Sequence, residues 1–181
     1  YSSWRSFRFF AEVAIDLRPA AALLCGLSWN PDYSLEMALL LRAYGKGYTA
    51  THAAASSTLT GCYNQYGTTA IIKYIPSRGW TMHLSAEYSA YPWSRYRIDG
   101  PSWDSRARFD IMRESRNGSQ LQLRLDWRHK SESGSTLKGR LHAKAALSRC
   151  WSLSARIEGG MKGFATYGEL GFRTTDRRWD I

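Results

Sequence analysis

Residues 80–103 read WTMHLSAEYSAYPWSRYRIDGPSW. Over the first ten, Trp80, Met82, Leu84, Ala86 and Tyr88 alternate with Thr81, His83, Ser85, Glu87 and Ser89. A period of two is the pattern of a β-strand, whose successive side chains leave opposite faces of the sheet. One face of this strand is therefore apolar, and the other carries a histidine and a glutamate. A half-buried soluble strand and a membrane-barrel strand share that alternation and differ in what lies behind each face.

The same period recurs along the 181-residue chain. It predicts about ten strands, over 5–16, 21–29, 33–44, 67–75, 80–90, 105–114, 119–129, 136–147, 151–161 and 164–173. Most have the ~9 to 11 residues needed to cross a bilayer on a tilt, where soluble strands average ~5 to 6. Apolar residues rarely recur at the i+3 and i+4 spacing of a helix. The longest nearly continuous apolar stretches, AAALLCGL at 20–27 and MALLL at 37–41, are far short of the ~20 residues of a membrane helix. Residues 1–10 lack the basic start and apolar run of a signal peptide.

Connections fall into two kinds. NPD at 30–32, PSRG at 76–79, SRNG at 115–118 and SRC at 148–150 have the composition of tight turns. Between them lie segments expected to be longer: 45–66, 91–104 and KSESGS at 130–135. Short connections near Arg18-Pro19 and Lys162-Gly163 interrupt the contrast. Tight turns at one end of an up-and-down meander and longer loops at the other are the arrangement of outer-membrane barrels.

Assigning faces by alternation collects Phe7, Phe9, Val13, Leu23, Leu27, Leu39, Leu41, Leu123, Leu125, Leu141, Leu153 and Ile157 on an apolar side. The opposite side collects Glu36, Arg42, His83, Glu87, Arg106, Arg108, Asp110, Arg124, Asp126, Arg140, Arg156 and Glu158, with both signs interleaved. In a membrane barrel these are lumen-facing polar residues, and Glu87 and His83 pair with basic neighbours on adjoining strands. Aromatics beside the turns, namely Trp29, Tyr33, Tyr74, Trp80 and Trp151, with Trp93 and Tyr96 in the loop after residue 91, have the placement of an interfacial belt. The reading is an all-β, antiparallel up-and-down transmembrane β-barrel, with residues 1–181 forming one domain that is a segment of a larger barrel. A soluble sandwich or lipocalin-like barrel is the competing architecture.

Twenty-five Lys and Arg against fifteen Asp and Glu give a net charge of +10, which favours nucleic acid, anionic lipid or acidic solutes as partners without choosing among them. Cys25, Cys62 and Cys150 follow no metal-ligand spacing. His83, Ser85 and Glu87 share a face but lie ~7 Å apart along it, too far for a nucleophile–base hydrogen bond. No catalytic, metal or cofactor residue is assigned.

The stretch GCYNQYGTTAIIKYIPSRGWTMHLSAEYSAYPWSRYRIDGPSWDSRARFDI resembles the carboxyl-terminal barrel region of Bacteroidota outer-membrane proteins usually labelled helix-hairpin-helix domain-containing. The shared features are Asn64 and Gly67 before one strand, Trp80 opening the next, the loop residues Pro92, Trp93, Tyr96, Arg97 and Asp99, and Pro101-Ser102 before the strand after. The similarity spans roughly residues 20–145, and its motifs are structural. It implies a bacterial outer-membrane location, with membrane lipids, lipopolysaccharide and proteins of an envelope complex as partners. The helix-hairpin-helix segment that would bind DNA is absent from these residues, and RTTDRRWDI does not read as a closing strand.

The expected role is transport, secretion or envelope scaffolding. The basic lumen either passes or holds anions, or its cations pair with carboxylates and plug it. Nucleic-acid binding through the Tyr-, Trp- and Arg-rich loop, nucleic-acid uptake, and an outer-membrane hydrolase are the alternatives.

Overall fold

A computed structural model describes residues 6–15, 20–48, 63–95, 97–148, 150–161 and 163–172. The readings made above for Cys62, Tyr96, Lys162, the Arg18-Pro19 connection and the segment after residue 172 lie outside them. Among the described residues there are ten strands: β1 Phe7–Ile15, β2 Ala21–Asp32, β3 Leu35–Tyr44, β4 Gln65–Tyr74, β5 Trp80–Tyr91, β6 Ser102–Glu114, β7 Gln120–Lys130, β8 Gly134–Ala146, β9 Trp151–Gly160 and β10 Gly163–Phe172. Each pairs antiparallel with its sequence neighbours in one sheet of order β1 to β10. The sheet is open, with β1 and β10 as its outer strands. Among the described residues no helix is long and apolar enough to cross a membrane.

Three connections differ from their sequence reading. Asn30, Pro31 and Asp32 belong to β2, and the turn is Tyr33-Ser34. A register shift between Trp29 and Asp32 provides the bulge that a proline needs inside a strand, and Asp32 accepts the Tyr33 N–H at 2.7 Å. The β7–β8 connection is only Ser131, Glu132 and Ser133, because Gly134 takes φ +76° and turns the chain at once. β6 starts at Ser102 rather than 105, since Trp103 and Ser131 exchange hydrogen bonds that lengthen the ladder, with the Ser131 N–H reaching the Trp103 carbonyl at 2.9 Å and the Trp103 N–H reaching the Ser131 hydroxyl at 3.1 Å.

Because the strands alternate in direction, the connections at 33–34, 75–79, 115–119 and 147–150 share one end of the sheet. Those at 45–64, 92–101 and 131–133 share the other. The 92–101 loop therefore lies opposite the tight turns.

Candidate functional site: a charged wall and an apolar belt

The register places the faces. Arg42 opposes Gly67, Gly67 opposes Ser89, Glu87 opposes Arg106, Arg106 opposes Arg128, Asp126 opposes Lys138, and Arg140 opposes Glu158. Glu36, Arg42, His83, Glu87, Arg108, Asp110, Arg124, Asp126, Arg140, Arg156 and Glu158 thus share one face across seven strands, β3 and β5–β9 carrying them and β4 linking them. On the other face, apart from the turn-end positions Asp32 and Arg113, no described strand residue is formally charged.

On the charged face, opposite signs find each other across strands. Arg42, only 5% exposed, donates to Glu87 at 2.5 Å, to Ser89 at 2.9 Å and to Thr69 at 3.3 Å. Gly67 makes room for it, since a Cβ there would stand 2.5 Å from the Arg42 Nε. Asp126 accepts from Arg106 at 2.7 Å and from Arg108 at 2.9 Å, and Arg124 bonds Asp110 at 2.5 Å. Glu158 lies between Arg140 and Arg156, and Lys73 reaches Glu36 at 4.0 Å. His83 has Lys73 opposite on β4 and Asp110 opposite on β6. Charge-assisted contacts of this kind let the paired ionic side chains of the wall stand together.

At the end bearing 45–64 and 92–101, a polar cluster closes the sheet rim. Asn64 takes φ +53°, which asparagine tolerates, and its buried amide clamps Trp93 on both backbone groups. Its Nδ2 donates to the Trp93 carbonyl at 2.7 Å and its Oδ1 accepts the Trp93 N–H at 3.1 Å. Arg95 bonds Glu132 at 2.6 Å, lies 3.6 Å from Asp104 and stacks over Tyr91 with its guanidinium carbon 4.1 Å from the ring centre. Burial opposes the Arg95 charge, but the hydrogen bond to Glu132 and the charges of Asp104, Glu132 and Tyr91 outweigh it and hold the pKa above its ordinary value. Sequence reasoning singled out Asn64 and Trp93 but not their pairing, and it missed Arg95, Asp104 and Glu132 altogether. The Asn-x-x-Gly spacing was the available signal: one residue clamps the loop and the other seats Arg42.

The apolar face is exposed along its middle, with Leu39 at 41% and Leu153 at 47%. Aromatics gather at both of its ends. At the tight-turn end Phe7 stacks on Trp29 at 5.4 Å, Trp151 meets Phe172 at 4.7 Å, Arg113 lies over Trp80 at 5.2 Å, Tyr74 stands beside them in sequence register, and Tyr33 projects from its turn at 92% exposure. At the opposite end a second group forms that the sequence did not single out as a belt: Tyr66, Tyr88, Trp103, Trp127 and His129, with Trp103 and His129 stacked at 4.6 Å. Trp93 sits beyond this rim at 54% exposure, with the Lys46 ammonium 4.8 Å from its ring centre.

Among the described residues no cluster of three His, Cys, Asp or Glu could hold a metal ion, and Cys25 and Cys150 are free thiols. No family model, curated protein or solved structure matches the chain.

Proposed function

We propose that this chain is a segment of a bacterial outer-membrane β-barrel, with its charged face toward the lumen and its apolar face toward lipid, in a transport, secretion or envelope-scaffold role. The observation that carries the reading is the apolar face itself, bounded by aromatics at both ends. Trp80 and Tyr88 are eight residues apart on β5, about 27 Å along the strand at ~3.4 Å per residue and about 21 Å of height at a ~40° tilt. That is close to the ~25 Å apolar band between the aromatic girdles of outer-membrane barrels. A soluble protein tolerates only a few hundred Å² of contiguous exposed apolar surface, and this face runs across ten strands. The open edges at β1 and β10 would be paired by further strands of a complete barrel, since lipid leaves no backbone group unsatisfied.

The resemblance to helix-hairpin-helix-labelled outer-membrane proteins of Bacteroidota agrees with this placement. The 92–101 loop fits a rim element better than a nucleic-acid contact, because Arg95 is taken up by Glu132, Asp104 and the face of Tyr91. Membrane lipids and lipopolysaccharide are then the immediate partners.

The test is extraction and flotation. The chain is expected to need detergent for a monodisperse preparation and, after dilution from denaturant into phospholipid vesicles, to float with them in a density gradient and resist carbonate washing. A monodisperse, detergent-free preparation would sink the membrane reading.

A further inference from the structure

The charged wall is not uniform. From β3 to β5 cations and carboxylates are matched, with Arg42 on Glu87 and Lys73 near Glu36, and Asp110 of β6 takes up Arg124 from β7. On β7 and β8 the balance fails. Facing residues run, rung by rung, Lys130 opposite Gly134, Arg128 opposite Thr136, Asp126 opposite Lys138, Arg124 opposite Arg140, Gln122 opposite His142 and Gln120 opposite Lys144. Every rung but one carries at least one Lys or Arg, and the exception carries His142 with Arg156 opposite it on β9. Two arginines face each other at Arg124 and Arg140, each taken up by a carboxylate from the strand on its other side, Asp110 on β6 and Glu158 on β9. Asp126 is the one carboxylate these two strands place on this face, and it is occupied by Arg106 and Arg108 from β6.

Lys130, Arg128, Lys138 and Lys144 form no ion pair among the described residues. They recur along the length of both strands, same-face neighbours lying ~7 Å apart. Arg128 borders a hollow of about 250 Å³ shared with Arg106 and Ser89 and with the carboxylates Glu87 and Asp104, and beyond it Arg140, His142 and Arg156 line another of about 460 Å³ that Glu169 also borders. A sheet that needed these cations only for solubility could carry them in its turns. Here they form a file from one rim to the other.

We propose that β7 and β8 form an anion track, along which solutes bearing phosphate groups bind and pass. The inference deepens the barrel reading by naming the solute class its lumen takes. Unmatched cations along a confined wall raise the local anion concentration and supply charge-assisted hydrogen bonds at each step.

The probe is inorganic phosphate, its binding measured by equilibrium dialysis at low ionic strength on the full chain, in detergent micelles or in buffer if it stays soluble. Two variants remove the same charge. Arg128→Gln/Lys138→Gln/Lys144→Gln neutralises the track, and Lys73→Gln/Arg78→Gln/Arg116→Gln neutralises cations outside it. Neither set includes a cation bonded closer than the 4.0 Å Lys73–Glu36 contact, so both are expected to retain the β-sheet circular dichroism spectrum. The expected result is saturable binding to the wild type, weakened at least tenfold in the track variant and less than twofold in the other. Absence of saturable binding, equal weakening in both variants, or weakening in the second alone would overturn the proposal. Glu158→Gln supplies a check independent of cation removal: freeing Arg140 and Arg156 is expected to tighten phosphate binding, and weaker binding would count against the track. Flotation decides the membrane reading separately, so a chain that enters vesicles without binding phosphate refutes the track alone.

Discussion

Arg42 concentrates the energetics of the charged face in one side chain. Its guanidinium is buried and serves three acceptors on two strands, while Glu87 keeps some contact with solvent. Arg42→Leu removes the partner and leaves the carboxylate behind, at a cost expected near the lower end of the range for broken buried pairs, about 3 kcal/mol. Adding Glu87→Leu is expected to recover most of that loss, because a pair replaced by apolar residues leaves no orphaned charge. Urea unfolding in micelles measures both, and a double variant as unstable as the single one would contradict this account. Alternation placed Arg42 and Glu87 on one face but could not match them, since their contact spans 45 positions and depends on the Gly67 gap between them. The same blindness affects Arg124. As a bare lumen residue it should tolerate Leu, yet it holds Asp110 at 2.5 Å, so a mild substitution on this face must be sought among cations such as Lys144.

At the level of elements, strand pattern and strand partnership were unequally legible. Most of the strands announce themselves by a period of two, with polar or charged side chains on one face and apolar ones on the other, whereas β2 is nearly continuously apolar over 21–27. Turn lengths were harder to read, because composition marks where a chain can turn and not how quickly. KSESGS has the polarity of a loop, yet Gly134 completes the reversal in three residues. The 92–101 element owes its position to Asn64, twenty-nine residues earlier. Asn64→Ala deletes both clamp hydrogen bonds and the residue that tolerates the left-handed backbone. It is expected to cost about 1 to 3 kcal/mol locally and to speed hydrogen exchange at the Trp93 amide while mid-strand amides of β7 and β8 stay protected. Unchanged exchange at Trp93 would show that the loop is held elsewhere.

For the whole molecule, the two faces make opposite demands on a new charge. Leu39→Arg, mid-strand on the apolar face, is expected to destabilise the vesicle-inserted chain by about 2 to 4 kcal/mol, whereas Lys144→Leu on the charged wall is expected to cost under about 1 kcal/mol. Unfolding from vesicles in urea reads both, and the reverse order would mean that the faces are exchanged. The apolar face was legible because lipid-type exclusion of charge extends over every strand. The second aromatic group was not, since Tyr66, Tyr88, Trp103 and Trp127 come from four strands and align only once register is fixed.

The meander has a kinetic consequence. Every pairing joins sequence neighbours, so assembly can proceed hairpin by hairpin with little loop to close at each step, a short route for an all-β chain. One junction stands apart. Twenty residues, 45–64, separate β3 from β4, against three between β7 and β8, and by length alone closing the longer one costs about 1.7 kcal/mol more. The Asn64 N–H to Gly45 carbonyl bond at 3.1 Å holds the ends of that connection together once they meet. The last seven strands are thus positioned to zip as one cooperative unit, with β1–β3 joining late, and the docking of these two blocks would set the pace of folding.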